Sequence, residues 1–246
     1  MENYMFRFFE EETFVKTFRN GEIRLMSNEY YATGSFDPMA QKSGELYNNK
    51  FDSTEGHSYV VNRENDKIEE TKEYKISEGF SMTLSPEVKR VVLRSPNLNS
   101  KTKIMSFTLL NDEEIPDKKF GTVIDSMKDD LGKFYVCFTN PAEFIKRVKN
   151  KLDEMMKEGT VKSYKFAEPN YMITRPFEGA TGPFDKPDGL AWQREVRLYV
   201  ETTQEKDPFW VKIGSIKDIT CWGKTEDMKN GYIKDDDTIV LPNHQV

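Results

Sequence analysis

The sequence predicts an α+β fold in which mostly antiparallel sheets are combined with two to three helices. Many short segments alternate apolar and polar residues, whereas only three segments carry apolar residues at helical spacing. Aromatic residues make up 13% of the 246 residues, so a few large side chains can fill a core although apolar residues reach only 37%. No linker-like segment interrupts this pattern, and a single domain over residues 1–246 is expected.

The chain opens with a predicted strand, helix and strand. Residues 5–9 form a short aromatic run that favours a strand. An acidic helix start follows at Glu10, apolar residues at helical spacing continue the helix, and Gly21 ends it. Residues 22–27 alternate polar and apolar side chains, as expected of a half-buried strand.

Two further helices are predicted from apolar stripes. The first covers residues 120–131, and the second begins at Pro141 and ends at Gly159. Two long segments, 28–57 and 169–189, are rich in turn-forming residues and are expected to be irregular. The remaining strands are predicted at residues 58–61, 80–84, 88–94, 103–110, 133–138, 161–166, 191–200, 210–216, 219–222 and 238–241, with residues 64–75 as a hairpin or an insertion.

Composition limits the compartment and the chemistry that we expect. No run of about 18 apolar residues and no signal-peptide pattern occur, so we expect a cytoplasmic protein without a membrane span. Cys137 and Cys221 are predicted to be buried, reduced thiols. The two histidines, His57 and His244, leave too few ligands for a zinc site, and no metal is expected.

The charge pattern gives weak support to a nucleic-acid partner. The net charge is −6, although residues 146–151 form a basic segment. Acidic residues at Glu143, Asp153 and Glu154 flank this segment at helical spacing, which favours a solvated helix face. A nucleic-acid acceptor is kept as an alternative, and its binding would weaken steeply with salt.

The segment Trp192–Arg197 is the leading candidate for a functional site. Because alternate residues of a strand share a face, Gln193, Glu195 and Arg197 are expected in one polar row. An amide, a carboxylate and a guanidinium in a row can bond ribose hydroxyls, stabilise a developing cation and orient an acceptor. The competing interpretation is the polar outer face of an amphipathic strand that carries a Glu–Arg pair.

Four other residues are candidates for ligand binding. Arg7 lies between aromatic residues of the first strand, where a guanidinium can hold a phosphate bidentately, unless it is simply exposed on an edge strand. Arg24 in the second strand is a weaker candidate of the same kind. Ser106 and Thr108 share one face of a predicted central strand, where they either support a ligand or bond to the backbone as buried hydroxyls.

The order of several short motifs resembles a widespread bacterial and phage family of unknown function. In that family an aromatic–basic–aromatic strand and a helix precede a Gly-x-Ile-x-Leu-x-Ser strand, and a Trp-x-x-Glu-x-Arg strand comes late. The resemblance covers about residues 4–200. The matching segments here are Phe6-Arg7-Phe8-Phe9, Gly21-Glu22-Ile23-Arg24-Leu25-Met26-Ser27, Asp52-Ser53-Thr54-Glu55-Gly56, Ser106-Phe107-Thr108, Phe184-Asp185-Lys186 and Trp192-Gln193-Arg194-Glu195-Val196-Arg197.

The same layout is similar to a distant ADP-ribosyltransferase fold, and this resemblance implies NAD as the substrate. It implies that Glu195 is the catalytic acid, which bonds the ribose and stabilises the transition state as nicotinamide leaves. It implies that Gln193 orients the acceptor and that Arg7 holds the pyrophosphate. The remaining residues of the implied NAD site are Ser106, Thr108 and Arg197.

The sequence therefore leaves two functions open. The first is an NAD-dependent ADP-ribosyltransferase-like protein, which would act as a toxin, a phage-defence or a counter-defence factor on a protein or nucleic-acid acceptor. The second is a non-catalytic phage or bacterial protein that captures a nucleotide or a partner protein. A shared pocket for Arg7 and Glu195 would favour the first, whereas their separation on opposite faces of a sheet would count against it.

Overall fold

A computed structural model describes residues 3–33, 58–63, 71–77, 80–94, 96–126, 132–173, 177–234 and 238–245. The strands are β1 (Asn3–Phe9), β2 (Glu22–Ser27), β3 (Ser58–Asn62), β4 (Lys72–Ser77), β5 (Phe80–Leu84), β6 (Arg90–Arg94), β7 (Thr102–Asn111), β8 (Phe134–Phe138), β9 (Val161–Ala167), β10 (Asn170–Ile173), β11 (Phe177–Thr181), β12 (Asp185–Pro187), β13 (Glu195–Thr202), β14 (Phe209–Lys212), β15 (Thr220–Lys224), β16 (Tyr232–Ile233) and β17 (Ile239–Val240). The helices are α1 (Glu12–Arg19), α2 (Asn28–Thr33), α3 (Pro96–Lys101), α4 (Phe120–Ser126), α5 (Pro141–Lys157) and α6 (Thr225–Met228).

The main sheet is built around β7. One edge of β7 pairs with β13 from Thr102 to Thr108, and β13 pairs onward with β9. The other edge pairs with β1 from Asn111 to Thr108 and with β2 at Ile104 and Lys103. β1 continues the sheet through β8 to β15, and β2 continues it to β14. The sheet is therefore split on this edge of β7, between its contacts with β1 and β2.

Apolar clusters cover both faces of the sheet around β1 and β7. On the α5 face, residues of α1 and α5 pack against strand residues such as Met5, Phe107 and Val196. On the α4 face, residues of α4 and α6 pack against Phe6 and Leu110. Adjacent residues of one strand thus enter different clusters, as the alternation of side chains in a strand requires.

The longest helix, α5, is specified by local signals. The Asn140 side chain accepts a hydrogen bond from the Glu143 backbone nitrogen at 3.0 Å, and Pro141 occupies the first turn. Phe144, Val148 and Leu152 form its buried stripe. This stripe packs on the α5 face of the sheet, as expected for an amphipathic helix whose apolar side faces a core.

The structure confirms the α+β class with mostly antiparallel sheets. Within the described ranges it contains six α-helical segments, more than the two to three that were predicted. The additional helices are α2, α3 and α6, each of which has six residues or fewer. Helices this short have at most two turns, so the spacing of their apolar residues does not predict them from the sequence.

Two predictions about irregular segments need correction. Segment 169–189 contains β10, β11 and β12, and β10 pairs in parallel with β12. The Gly and Pro residues there mark turns between short strands, which composition alone does not separate from a loop. Segment 28–57 begins with α2, and residues 34–57, including the Asp52–Gly56 motif, lie outside the described residues.

No helix in the described part of the chain is both long and apolar enough to cross a membrane.

Candidate functional site

The predicted polar row on residues 193–197 forms in part. Residues 188–193 form a 3-10 helix, and Arg194 adopts a left-handed conformation with φ 46° and ψ 48°, so β13 begins only at Glu195. Gln193 therefore does not share a strand with Glu195 and Arg197, which corrects the expected row of three. Trp192 packs with the cluster on the α4 face and Val196 with that on the α5 face.

The register between β13 and β7 brings Glu195 and Arg197 next to Thr108 and Ser106. Glu195 lies opposite Thr108 of β7, and Arg197 lies opposite Ser106. Directly opposed residues of antiparallel strands share a face, so these four side chains lie on the α4 face. Glu195, Thr108 and Arg197 are buried, and Ser106 is partly buried.

The Glu195 carboxylate is held by two cations and a hydroxyl. Its Oε1 accepts a hydrogen bond from Arg197 Nε at 2.7 Å and another from the Ser106 hydroxyl. Its Oε2 accepts from Lys186 Nζ at 2.6 Å and from Arg197 Nη2 at 3.3 Å. A carboxylate offers about four lone-pair positions. All of these positions are used within the protein.

The partners of Glu195 are tied to the surrounding loops. Lys186 Nζ also donates to Gln193 Oε1 at 2.6 Å, and Arg197 Nη1 donates to the Pro183 carbonyl. The Glu195 backbone nitrogen donates to the Tyr171 hydroxyl at 3.2 Å. Hydrogen bonds of the cluster therefore link β10, β12 and the 3-10 helix to the start of β13.

The electrostatics follow from burial and from the two cations. Burial alone would raise the pKa of the Glu195 carboxyl, but Lys186 and Arg197 outweigh it and hold that pKa at about 2. Burial also raises the pKa of the Tyr171 hydroxyl to about 12. Glu195 is thus a fixed anion at neutral pH, with a side-chain exposure of 6%. An ionised carboxylate with all its lone pairs engaged is a structural counter-ion, and it has no position left for a ribose hydroxyl.

Lys186 and Tyr171 were not singled out as site residues. Both lie in segment 169–189, which was expected to be irregular. The Phe184-Asp185-Lys186 motif includes this lysine, but its neighbours Asp185 and Pro187 favour a turn, so the sequence gives no sign that Lys186 is buried.

The Arg7 side chain does not join the face of the sheet that carries this cluster. Phe6 is opposite Thr108, which is opposite Glu195, so Phe6 and Glu195 share the α4 face. Arg7 follows Phe6 and points to the other face, where its partner in β8 is the core residue Val136. The expected common pocket for Arg7 and Glu195 is therefore not formed.

The Arg7 guanidinium occupies the split in the sheet. Between the pairings at Thr108 and Ile104, this edge of β7 has no strand partner among the described strands. Arg7 Nη1 donates a hydrogen bond to the Ser106 carbonyl there. The Arg7 guanidinium carbon stands 5.6 Å from the centre of the Phe9 ring, and its buried Nε has no hydrogen-bond partner in the described part of the chain.

An open cleft of about 280 Å³ lies beside Arg7 in this split. β1, α1, β2 and α2 supply most of its walls, with one residue each from β7 and β14. Aromatic rings dominate the lining, and two arginines and two glutamates provide its charge. The lining residues are Arg7, Phe8, Phe9, Glu10, Phe14, Thr17, Phe18, Glu22, Arg24, Met26, Tyr30, Tyr31, Met105 and Trp210.

Arg24 is positioned between two exposed aromatic residues at the cleft. Trp210 of β14 is its direct partner across the strands, and its guanidinium carbon stands 5.9 Å from the centre of the Phe14 ring. Phe14 and Trp210 are 42% and 39% exposed, which is unusual for aromatics of this size. Arg24 was a weak candidate in the sequence, and the two aromatics gave no signal because Phe14 fits the helical stripe and Trp210 fits a strand.

The guanidiniums of the cleft are available to a ligand. Glu22 faces Lys212 at 3.5 Å. Across the described ranges, neither Arg7 nor Arg24 forms an ion pair with a carboxylate. Two planar cations beside aromatic rings are the groups that recognise an anion attached to an aromatic system.

The basic segment of α5 has internal partners. Lys146 and Arg147 pair with Glu143 at 3.3 Å and 3.0 Å, Arg147 also reaches Asp218 at 2.6 Å, and Lys151 pairs with Glu154 at 2.9 Å. This is the solvated, salt-bridged helix face that the flanking acidic residues favoured. The described residues also contain no group of three His, Cys, Asp or Glu side chains arranged to hold a metal ion.

Comparison with known proteins gives no assignment: no family model, no curated protein and no solved structure matches this chain.

Proposed function

We propose that this protein captures a mononucleotide, without transforming it, in the cleft between β1 and β2. One observation carries the proposal. Two guanidiniums that have no carboxylate partner among the described residues, Arg7 and Arg24, line a cleft whose other walls are mainly aromatic. A phosphate attached to a flat heterocycle matches both kinds of group.

The guanidiniums would hold the phosphate. An arginine presents its N–H donors as a planar fork that fits two phosphate oxygens at once. The Arg7 and Arg24 guanidiniums lie within 6 Å of the Phe9 and Phe14 rings, so contact with a ring limits their freedom before a ligand binds. Binding then loses less side-chain entropy than it would with mobile arginines.

The aromatic rings of the cleft would hold the base. Stacking of a base on an aromatic side chain contributes about 1–3 kcal/mol and tolerates different bases, since every base has a flat face. Trp210 is next to Arg24, and Tyr30 and Tyr31 lie on the helix that follows β2. The phosphate and base subsites are therefore adjacent.

The size of the cleft favours a single nucleotide over NAD. Its volume of about 280 Å³ lies just below the range for small-molecule sites, roughly 300–1,000 Å³. The Glu195 cluster, which would have to supply the acid for transfer from NAD, lies outside the cleft lining and is closed by its own ion pairs. We therefore favour capture over ADP-ribosyl transfer.

A thermal-shift panel tests the proposal. The full chain is heated with AMP, GMP, CMP, UMP, the four matching nucleosides, inorganic phosphate and NAD. At about 100 times its dissociation constant, a ligand adds roughly 2.7 kcal/mol, which raises the Tm of a chain this long by about 5–10 °C. We expect at least one monophosphate to reach this shift, its nucleoside to give a smaller one, and NAD to release no nicotinamide.

A matched pair of variants locates the site. Trp210→Ala should remove most of the shift, whereas Tyr232→Ala, which truncates an equally exposed aromatic on β16, should keep it. The proposal is overturned if no monophosphate raises the Tm at millimolar concentration, or if both variants respond like the unmodified chain.

A further inference from the structure

Two cysteines face each other across neighbouring strands of the main sheet. Cys137 of β8 and Cys221 of β15 are direct partners in an antiparallel pairing. Both belong to the cluster on the α4 face, so their side chains point to the same side. Both are free thiols, with exposures of 1% and 8%.

This arrangement meets the distance requirement of a disulfide. Directly opposed residues of antiparallel strands have Cα atoms roughly 4.5–5.5 Å apart. A disulfide requires a Cα separation of roughly 4.4–6.8 Å. Because the two residues are direct partners and both side chains point to the α4 face, their sulfur atoms are directed to the same side of neighbouring strands.

We propose that Cys137 and Cys221 form an intramolecular disulfide when the protein meets a peroxide. In the first step the Cys221 thiolate attacks one oxygen of the peroxide, the O–O bond breaks, and Cys221 becomes a sulfenic acid while hydroxide leaves. In the second step the Cys137 sulfur attacks the Cys221 sulfur, and the sulfenic oxygen leaves as water with the Cys137 proton. Two thiols are oxidised and one hydrogen peroxide is reduced to two molecules of water.

Cys221 is the thiol that reacts first. It is the more exposed of the two. Its interaction with the Cys137 thiol and the neighbouring His244 and Arg19 side chains outweigh burial and lower its pKa to about 7, so it forms a thiolate more readily than an ordinary thiol. The same interaction and complete burial raise the pKa of Cys137, which suits it to the second step as the resolving thiol.

The bond would join β15 covalently to the sheet. β15 is the last strand on its side, and its other pairing among the described residues is a single bridge between Trp222 and Gln245. Cys137 and Cys221 are far apart in the sequence, so a link between them removes much freedom from the unfolded chain. Oxidation should therefore raise the Tm of the protein by about 5–10 °C.

The test oxidises the full chain with about one equivalent of hydrogen peroxide and records its intact mass and Tm. We expect the loss of two hydrogen atoms per chain, the rise in Tm, and reversal of both by dithiothreitol. Cys137→Ser should accumulate a sulfenic acid that dimedone traps, and Cys221→Ser should react with neither peroxide nor dimedone. Oxygen addition without loss of hydrogen in the unmodified chain, or equal oxidation of the two variants, would overturn the proposal.

Discussion

Glu195 shows how a carboxylate in a function-like motif can be fully occupied by its own fold. Its two oxygens accept four hydrogen bonds from Lys186, Arg197 and Ser106. Burial of a single carboxylate costs several kcal/mol, and this cost is offset only when cations and donors satisfy the charge. Glu195, for which the family resemblance implies a catalytic role, is in this structure the anion that pairs with two buried cations.

The first stability prediction follows from this cluster. Glu195→Gln removes the anion and leaves Lys186 and Arg197 buried without a counter-charge, so it should lower the free energy of unfolding by about 3–5 kcal/mol. Glu201→Gln is the matched control on the same strand, because Glu201 pairs with the exposed Lys162 and should cost less than about 1 kcal/mol. Urea denaturation measures both, and similar losses in the two variants would contradict the structural role.

The same residue predicts how stability responds to acid. The pKa of Glu195 is lowered to about 2 in the folded protein from about 4.3 in the unfolded chain. A lowered folded pKa stabilises the fold above the unfolded pKa, and this stabilisation is lost as pH falls from about 4.3 to about 2. Unfolding measured across that window should be less pH-dependent in Glu195→Gln than in the unmodified chain.

The junction between β2 and α2 holds one wall of the cleft. The Ser27 hydroxyl accepts a hydrogen bond from the Tyr30 backbone nitrogen at 3.1 Å and so caps α2. Asp207 fixes this cap through the Ser27 backbone nitrogen at 3.0 Å and through its hydroxyl. Asp207 also pairs with Lys103 of β7 at 2.8 Å, in a contact that is almost fully buried. β2, α2 and β7 are therefore joined by one carboxylate.

Loss of that carboxylate should affect stability and the cleft together. Asp207→Asn leaves Lys103 buried without its counter-charge, and we expect a loss of about 3–5 kcal/mol in the free energy of unfolding. The exposed Asp188→Asn is the control, since the amide oxygen can still accept the hydrogen bond from the Gly189 nitrogen. Hydrogen exchange of the α2 amides should accelerate in Asp207→Asn alone. Unchanged exchange would show that α2 does not depend on this contact.

The split in the main sheet determines where a ligand can enter. A continuous sheet would pair the backbone of β7 along its whole length, but here β1 and β2 diverge around residues 105–107. Arg7 donates a hydrogen bond to the Ser106 carbonyl, which neither β1 nor β2 pairs, and the cleft opens beside it. The fold therefore provides two separate places for charge: a closed cluster on the α4 face and an open cleft in the split.

The sequence predicted the regular parts of this architecture better than its sites. The helix α5 has clear periodicity because it buries one face in a core, and β7 forms a largely apolar run because both of its faces are covered. The partners of Glu195 could not be predicted, since Lys186 reaches it through a parallel pairing of β10 with β12 that local residues do not encode. The separation of Arg7 from Glu195 depends on strand register, and one residue of offset decides which face a side chain takes.

Calorimetric titration of the strongest mononucleotide from the thermal-shift panel tests the central claim most directly. It compares the unmodified chain with Arg24→Gln and Lys212→Gln. Each variant removes one positive charge, and the two residues lie on neighbouring strands. Arg24 belongs to the cleft lining and Lys212 does not. Loss of a charge-assisted hydrogen bond should weaken binding by roughly tenfold or more in Arg24→Gln. Lys212→Gln should stay within about twofold. Equal weakening in both variants, or no weakening in Arg24→Gln, would contradict nucleotide capture in this cleft.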